Sequence, residues 1–210
     1  MVAFVGAGID YMRPGLADRL ARDGEGEIIG FDLVDRDRRP YCRVDCEAET
    51  NAAEAVVAAA PQSRLAVFKV DGVGLAAPAI QMAAQAKAAV IVVHLPDDAQ
   101  TAGLLKAASE RFRDTLIVLA PRPPEAPPEK SAASTSKAQP APETKADGSQ
   151  AAKPDTVIML PAPAAGNGSG TVPEVLDRAA RIAARAATIV AASPSTRGAA
   201  LRAEIEAAAN

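Results

Sequence analysis

Short apolar runs alternate with longer segments of helical periodicity along most of the chain. A short apolar run bounded by turn residues is typical of a buried strand, and apolar positions three and four apart are typical of a helix. The predicted strands are Val2–Val5, Glu27–Asp32, Arg64–Val70, Ala88–His94, Thr115–Ala120 and Thr156–Leu160. The predicted helices are Arg13–Arg22, Thr50–Ala60, Ala76–Lys87, Asp98–Phe112, about Pro173–Ala192 and Thr196–Ala208. This alternation predicts an α/β fold: a three-layer, doubly wound and mostly parallel sheet with helices on both faces and right-handed crossovers.

The composition changes abruptly in the second half of the chain. Residues 122–154 lack large apolar side chains and are dense in Pro, Ala, Ser and charged residues. Such a segment buries too little apolar surface to offset the entropy lost on ordering, so we expect a disordered insert there. Residues 1–121 and 155–210 are then the two parts of a single domain, and the second part contains a Gly-rich turn at 166–170.

The overall composition favours a globular domain without an affinity for nucleic acid or membranes. Hydrophobic residues make up 49% of the chain but aromatic residues only 3%, so we expect a core of Ala, Val, Ile and Leu. A net charge of -3 with both signs interspersed provides no cationic surface for nucleic acid or an anionic membrane. Arg178, Arg181 and Arg185 fall on one helix face, which we expect to be solvated.

The beginning of the chain bears on localisation. Its first residues lack the basic and apolar regions that are typical of a signal peptide, and no apolar run in the sequence reaches the length of a membrane span. We therefore expect a cytoplasmic protein, or an exported one if a signal has been removed.

Two glycines after the first predicted strand favour one alternative, a dinucleotide site. Gly6 and Gly8 form a G-x-G turn, and Asp32 ends the second strand, where a ribose-binding carboxylate would lie. The dinucleotide fingerprint also needs a third small residue and a helix whose N-terminus faces the pyrophosphate. Here the third position is Tyr11, and the helical pattern begins late, near Pro14. A Rossmann-type dinucleotide-binding protein, such as an oxidoreductase, is therefore the alternative candidate for the function.

Two further groups of side chains are candidates for special chemistry. Cys42 and Cys46 lie four residues apart, which leaves open two free thiols or a local disulfide, and with one histidine they supply too few ligands for zinc. The second group consists of carboxylates with the oxygen ligands that calcium prefers. Its members are Asp10, Asp32, Asp35, Asp37 and Asp45. Interleaved arginines would neutralise much of this charge, so we expect a solvated loop surface, no bound metal and no cofactor.

Several longer runs resemble one enzyme family. The first is VAFVGAGIDYMRPGL at the start of the chain, and the second is EIIGFDLVDRDRRP, which ends at Pro40. Later runs are the strand after Ala60-Pro61, the helix and strand IQMAAQAKAAVIVVHL, and the helix IAARAATIVAASP. In this order they are similar to successive segments of the subtilisin-like serine peptidases (subtilases). The resemblance covers nearly the whole chain apart from the insert, and it implies the subtilisin-like α/β fold.

The same resemblance places no catalytic side chain of the family in this chain. Subtilisin-like enzymes use an Asp, a His and a nucleophilic Ser, together with an Asn that donates to the oxyanion. Gly6 aligns with the Asp, and Ala48 aligns with the His to within about two residues. Leu176 or, in a second register, Val172 aligns with the Ser, and Arg122 aligns with the Asn. None of these residues can perform the chemical role of the catalytic residue with which it aligns.

The resemblance therefore implies a degenerate member of the family. We expect a catalytically inactive subtilisin-like domain, a pseudopeptidase, that binds a peptide or protein partner or modulates an active relative. His94, Leu95 and Pro96 align with the substrate-binding strand of the family and mark the remnant substrate cleft. The sequence leaves the identity of the partner and the oligomeric state open.

Overall fold

The computed structural model describes residues 1–123, 155–161 and 171–208, and these residues form one six-stranded parallel sheet with helices on both faces. The strands are β1 (Val2–Gly6), β2 (Gly30–Asp32), β3 (Leu65–Lys69), β4 (Val90–Pro96), β5 (Leu116–Arg122) and β6 (Val157–Met159). The helices are α1 (Glu47–Ala59), α2 (Val73–Gln85), α3 (Ala99–Arg111), α4 (Val172–Ala192) and α5 (Gly198–Ala207). The strand order is β2-β3-β1-β4-β5-β6. The predicted three-layer α/β fold is thus confirmed.

Residues from both sides of the predicted insert contribute to this sheet. β6 pairs in parallel with β5, with Ile158 opposite Val118. Of the predicted insert at 122–154, only residues 122 and 123 belong to the described residues. The rest of the insert and the predicted Gly-rich turn at 166–170 lie outside them.

Two apolar clusters, one on each face of the sheet, form the core. On one face α1, α4 and α5 pack against alternate strand residues such as Phe4 and Val92. On the other face α2 and α3 pack against the intervening residues, such as Val5 and Val93. Successive strand residues point to opposite faces, so strands that are buried on both faces have apolar side chains at every position. This explains why apolar runs located the strands in the sequence.

The longest described helix, α4, packs on the sheet through small side chains. Ala179, Ala180 and Ala183 are fully buried, and their small volume allows the helix to lie close to the strands. A capping box of Thr171 and Glu174 begins the helix. The arginines that were expected to be solvated are exposed: Arg178, Arg181 and Arg185. Neither α4 nor any other helix of the described ranges is both long and apolar enough to cross a membrane.

The prediction of a helix at Arg13–Arg22 is wrong. This segment contains only a short 3-10 helix, Ala17–Arg19. Gly15 has a φ of +87°, which interrupts a right-handed helix. Leu20 is buried and pairs in parallel with Leu65, so it is held in an extended conformation at the start of β3. Pairing with the sheet therefore overrides the local helical pattern.

The crossover through α1 departs from the predicted right-handed arrangement. The connections β2-α1-β3, β3-α2-β4 and β4-α3-β5 all progress in the same direction across the sheet. However, α1 lies on one face, whereas α2 and α3 lie on the other. Connections that progress in one direction but cross on opposite faces have opposite hands, so the three are not all right-handed. Because right-handed crossovers dominate in α/β proteins, we assign the left-handed one to α1.

Candidate functional site

The carboxyl ends of β1 and β4 meet the first turn of α1 at one edge of the sheet. Gly6 ends β1, His94 lies near the end of β4, and Glu49 lies in the first turn of α1. A Cβ atom added at Gly6 would lie 3.3 Å from Cβ of His94 and 3.6 Å from Oε1 of Glu49. The position that aligns with the catalytic Asp is therefore in contact with the single histidine of the chain. In open α/β sheets, ligands bind at this carboxyl edge.

Glu49 and His94 form a buried hydrogen-bonded pair. Nδ1 of His94 lies 2.7 Å from Oε1 of Glu49, and each residue is only 4% exposed. A carboxylate at this distance favours the tautomer in which Nδ1–H donates to it. Nε2 of the same ring is buried and has no hydrogen-bond partner among the described residues. The pair has the chemistry of the carboxylate and imidazole of a serine-peptidase triad, and a triad also needs a nucleophile.

The positions aligned with the triad Ser and His carry hydrocarbon side chains. Leu176 is fully buried in the apolar cluster that α1 and α4 share, and Val172 and Ala48 pack against this cluster. Because α1 follows β2 and α4 follows β6, both helices begin at the carboxyl edge of the sheet. The structure thus brings these three positions to the same edge and face as Gly6. None of the four residues carries a group that can attack a carbonyl carbon.

The residues aligned with the substrate-binding strand form the end of β4. His94 and Leu95 are buried, and Pro96 is partly exposed. Arg122, which aligns with the oxyanion Asn, is the last residue of β5 and lies opposite Pro96. These four residues therefore lie together on two adjacent strands at the carboxyl edge.

One edge of β4 is left without a neighbouring strand at this point. β4 pairs with β1 only as far as Val93, which lies opposite Val5. On its other side β4 pairs with β5 through Pro96. Gly6, the last residue of β1, lies beside His94, so within the described ranges of the chain only Leu95 and Pro96 have no strand partner on the β1-facing edge.

The loop between β2 and α1 packs tightly beside this site. Cys42 and Cys46 form a disulfide with a Cα–Cα distance of 6.1 Å, which is one of the two alternatives that their spacing left open. Gly8 has a φ of +94°, and a Cβ atom there would lie 3.0 Å from the carbonyl oxygen of Pro40 and 3.1 Å from Cβ of Cys42. Close packing of two loops therefore explains the glycine at position 8 without a cofactor.

Two carboxylates of the predicted acidic group, those of Asp32 and Asp35, bind groups of the protein itself. Asp32 is 1% exposed, and its Oδ1 accepts hydrogen bonds from the amides of Val34 and Asp35. Oδ2 of Asp32 lies 2.7 Å from Nζ of Lys69, which also lies 3.3 Å from Oδ2 of Asp35. The hydrogen bond to Asp32 is the main cause that raises the pKa of Lys69. Nowhere in the described part of the chain do three His, Cys, Asp or Glu residues lie close enough together to hold a metal ion.

Replacing Lys69 with methionine is expected to lower the free energy of unfolding by about 1–3 kcal/mol, because it leaves the buried carboxylate of Asp32 without its cation. Since folding raises the pKa of Lys69, the contribution of the pair is fully present below the unfolded-state pKa of 10.5. It is lost as the pH rises through the higher folded-state pKa. Urea titrations near neutral pH and in strong alkali measure both effects.

The exposed residue Asp35 provides the control for this prediction. Asp35→Ala removes only the outer partner of Lys69, and losing a surface ion pair costs at most about 1 kcal/mol. If Lys69→Met and Asp35→Ala had equal effects, the buried contact with Asp32 would not be the stabilising one.

The geometry does not provide the features that the dinucleotide alternative needs beyond its glycines. In the described residues, the chain after Gly8 forms turns and the short 3-10 helix, so no α-helix directly follows the Gly6–Gly8 turn. Asp32 is bound to Lys69, and its strand β2 is separated from β1 by β3. In the dinucleotide-binding fold, the second strand lies directly beside the first. Both the turn and the strand order therefore disagree with a Rossmann-type site.

Glu49 is the residue of this site that sequence reasoning missed. It directly follows Ala48 and so falls within the uncertainty of the alignment with the triad His. Glu47 is equally close in sequence but is exposed. The sequence thus offered two glutamates beside Ala48, Glu47 and Glu49, next to a helix that precedes a strand. It does not show which of these two side chains faces the sheet.

Comparison with known proteins adds no family to this description. No protein-family model matches the chain, and no curated protein matches it. The subtilisin-like family therefore stays a prediction that rests on the residues of this chain.

Proposed function

We propose that this chain is a catalytically inactive, subtilisin-like domain that binds an extended segment of a peptide or protein partner beside the end of β4. The observation that carries the proposal is that Leu95 and Pro96, at the end of β4, extend beyond the last residue of β1 and have no strand partner on that side among the described residues. An extended segment adds to such an edge through main-chain hydrogen bonds, with neighbouring pockets selecting side chains. The family resemblance assigns the same residues to substrate binding, so two separate arguments support one location.

The inactivity is proposed because the catalytic groups are missing at their aligned positions. Gly6 has no side chain, and Leu176 or Val172 stands where the nucleophile would be. Loss of the nucleophile alone removes most of the rate enhancement of a serine peptidase. Arg122 at the oxyanion position supplies a cation but no nucleophile, so it does not restore the reaction.

Both forms of the proposed function use the same edge. The domain would either hold a segment of a partner or bind a segment of an active relative and so modulate it. Binding without cleavage is common to the two, and one set of experiments tests it.

Fluorescein-labelled casein, an unstructured polypeptide, is a suitable probe for binding and cleavage together. We expect saturable binding in fluorescence anisotropy, no acid-soluble fluorescence after long incubation, and no labelling by a fluorophosphonate serine probe. Pro96→Trp is expected to weaken binding roughly tenfold, because it places a large side chain at the end of the proposed edge. Arg185→Trp on the exposed face of α4 is the matched control and should leave binding unchanged.

Two kinds of result would overturn this proposal. Cleavage or labelling that is abolished by a single substitution in this chain would contradict inactivity. A lack of saturable binding, or equal weakening by Pro96→Trp and Arg185→Trp, would contradict peptide binding at this edge. Thermal unfolding of both variants, followed by circular dichroism, separates a loss of binding from a loss of structure.

A further inference from the structure

A cavity lined by positive charges lies at the opposite, amino-terminal edge of the sheet. It has a volume of about 360 Å³ and lies between the turn before β4, the turn between α3 and β5, and the residue before α5. Asp114 is the single acidic residue among those that line it. The cationic residues are Lys87, Arg111, Arg113 and Arg197. We call this site the basic cavity, and its charge is opposite in sign to the net charge of the chain.

The four cations of the basic cavity are not neutralised by carboxylates. No ion pair within the described residues includes any of them. Nε of Arg113 donates to the carbonyl oxygen of Glu110, and Nε of Arg197 donates to that of Pro194. These bonds orient the guanidinium groups but do not compensate their charge. Like charges that line one cavity repel one another, so a bound anion would stabilise the arrangement.

Close backbone packing holds two of these cations at the basic cavity. Gly198 directly follows Arg197 and has a φ of +51°, and a Cβ atom there would overlap the carbonyl oxygen of Arg113. Glycine therefore allows the segment before α5 to lie against the turn between α3 and β5. Leu201, which is fully buried, anchors α5 on the core. The fold itself thus keeps Arg113 and Arg197 at one site.

We propose that the basic cavity binds a small molecule through a phosphate or diphosphate group. Guanidinium groups bind phosphate oxygens in a bidentate manner, and such charge-assisted hydrogen bonds are stronger than neutral ones. Four cations against one carboxylate match a group with about two negative charges better than a single carboxylate. The volume of the basic cavity also lies in the lower part of the range of small-ligand sites.

The basic cavity is separate from the proposed peptide edge. It borders Ala88, which precedes β4, whereas the peptide edge lies at the end of β4. The seven residues of β4 separate the two sites by roughly 20 Å. The two proposals can therefore succeed or fail independently.

Isothermal titration calorimetry with pyrophosphate tests the basic cavity. We expect one saturable site per chain, with an affinity that falls as the sodium chloride concentration rises. The double variant Arg113→Gln with Arg197→Gln is expected to bind roughly tenfold more weakly or worse, because it removes two of the four cations. The control variant Arg178→Gln with Arg185→Gln removes two exposed arginines from α4 and should bind like the unmodified chain.

Three results would overturn this assignment. They are an absence of saturable binding, equal affinities in the cavity variant and the control variant, and citrate binding as tight as pyrophosphate binding. Without ligand, the cavity variant should be about as stable as the unmodified chain, because the loss of like-charge repulsion offsets the loss of the two hydrogen bonds to Glu110 and Pro194. If it fails to fold, Lys87→Gln with Arg111→Gln removes the other two cations and makes the same prediction for binding.

Discussion

Replacing Glu49 with alanine is expected to lower the free energy of unfolding by about 2–4 kcal/mol. The carboxylate of Glu49 is buried and lies 2.7 Å from Nδ1 of His94. Without it, Nδ1 joins Nε2 as a second buried ring nitrogen that has no partner among the described residues. Urea denaturation followed by circular dichroism measures the change.

Glu47 and a conservative variant provide the controls for this prediction. Glu47 lies in the same first turn of α1 but is exposed, so Glu47→Ala loses a similar interaction with the helix dipole and no buried hydrogen bond. Its expected cost is below about 1 kcal/mol. Glu49→Gln retains an acceptor for Nδ1–H and should lose less than half as much stability as Glu49→Ala. If Glu47→Ala and Glu49→Ala had equal effects, the buried pair would not stabilise the fold.

The buried pair also gives a physical account of the glycine at position 6. An aspartate side chain at Gly6 would begin 3.6 Å from Oε1 of Glu49, and two buried carboxylates at such a distance repel each other. The presence of Glu49 therefore disfavours an aspartate at position 6. A carboxylate already contacts His94, but it comes from α1 instead of from the end of β1.

The sequence predicted the strands and most helices because their signals are local. The strands are buried on both faces, and α1 to α5 each correspond to a predicted helix, so each element is marked by its own residues. The order of the strands depends instead on contacts between distant segments. Leu20 pairs with Leu65, and this pairing replaces the predicted helix at Arg13–Arg22 with extended chain. The face on which α1 packs is likewise set by tertiary contacts, which is why the prediction of a right-handed crossover through α1 was wrong.

The contacts of the candidate site could not be predicted from the sequence. Gly6 and His94 both lie at the ends of apolar runs, and the carboxyl ends of parallel strands share one edge of a sheet. The contact between His94 and Glu49 joins residues 45 positions apart, and the helical pattern of α1 did not specify that Glu49 faces the sheet. The ion pair of Asp32 with Lys69 was not predicted for the same reason, because it joins residues 37 positions apart on two different strands.

Gly198→Ala is expected to lower the free energy of unfolding by about 2–5 kcal/mol. The φ of +51° at Gly198 costs an L-residue about 1–2 kcal/mol. The added Cβ atom would also overlap the carbonyl oxygen of Arg113, and relieving such an overlap costs a further amount of about 1–3 kcal/mol. The backbone of Arg113 and that of Gly198 both lie next to the core, so neither can shift easily to relieve this overlap. Urea denaturation measures the loss, and calorimetry with pyrophosphate tests whether the basic cavity is disturbed with it.

Two other glycines separate the causes of this effect. Gly15 has a φ of +87° but nothing within 4 Å of an added Cβ atom, so Gly15→Ala should show the conformational cost alone, about 1–2 kcal/mol. Gly103 lies inside α3 with open space around it, so Gly103→Ala should instead stabilise the protein by up to about 1 kcal/mol. A loss for Gly198→Ala no larger than that for Gly15→Ala would contradict a tight contact with Arg113. Since that contact also keeps Arg197 at the basic cavity, only Gly198→Ala of the three should weaken pyrophosphate binding.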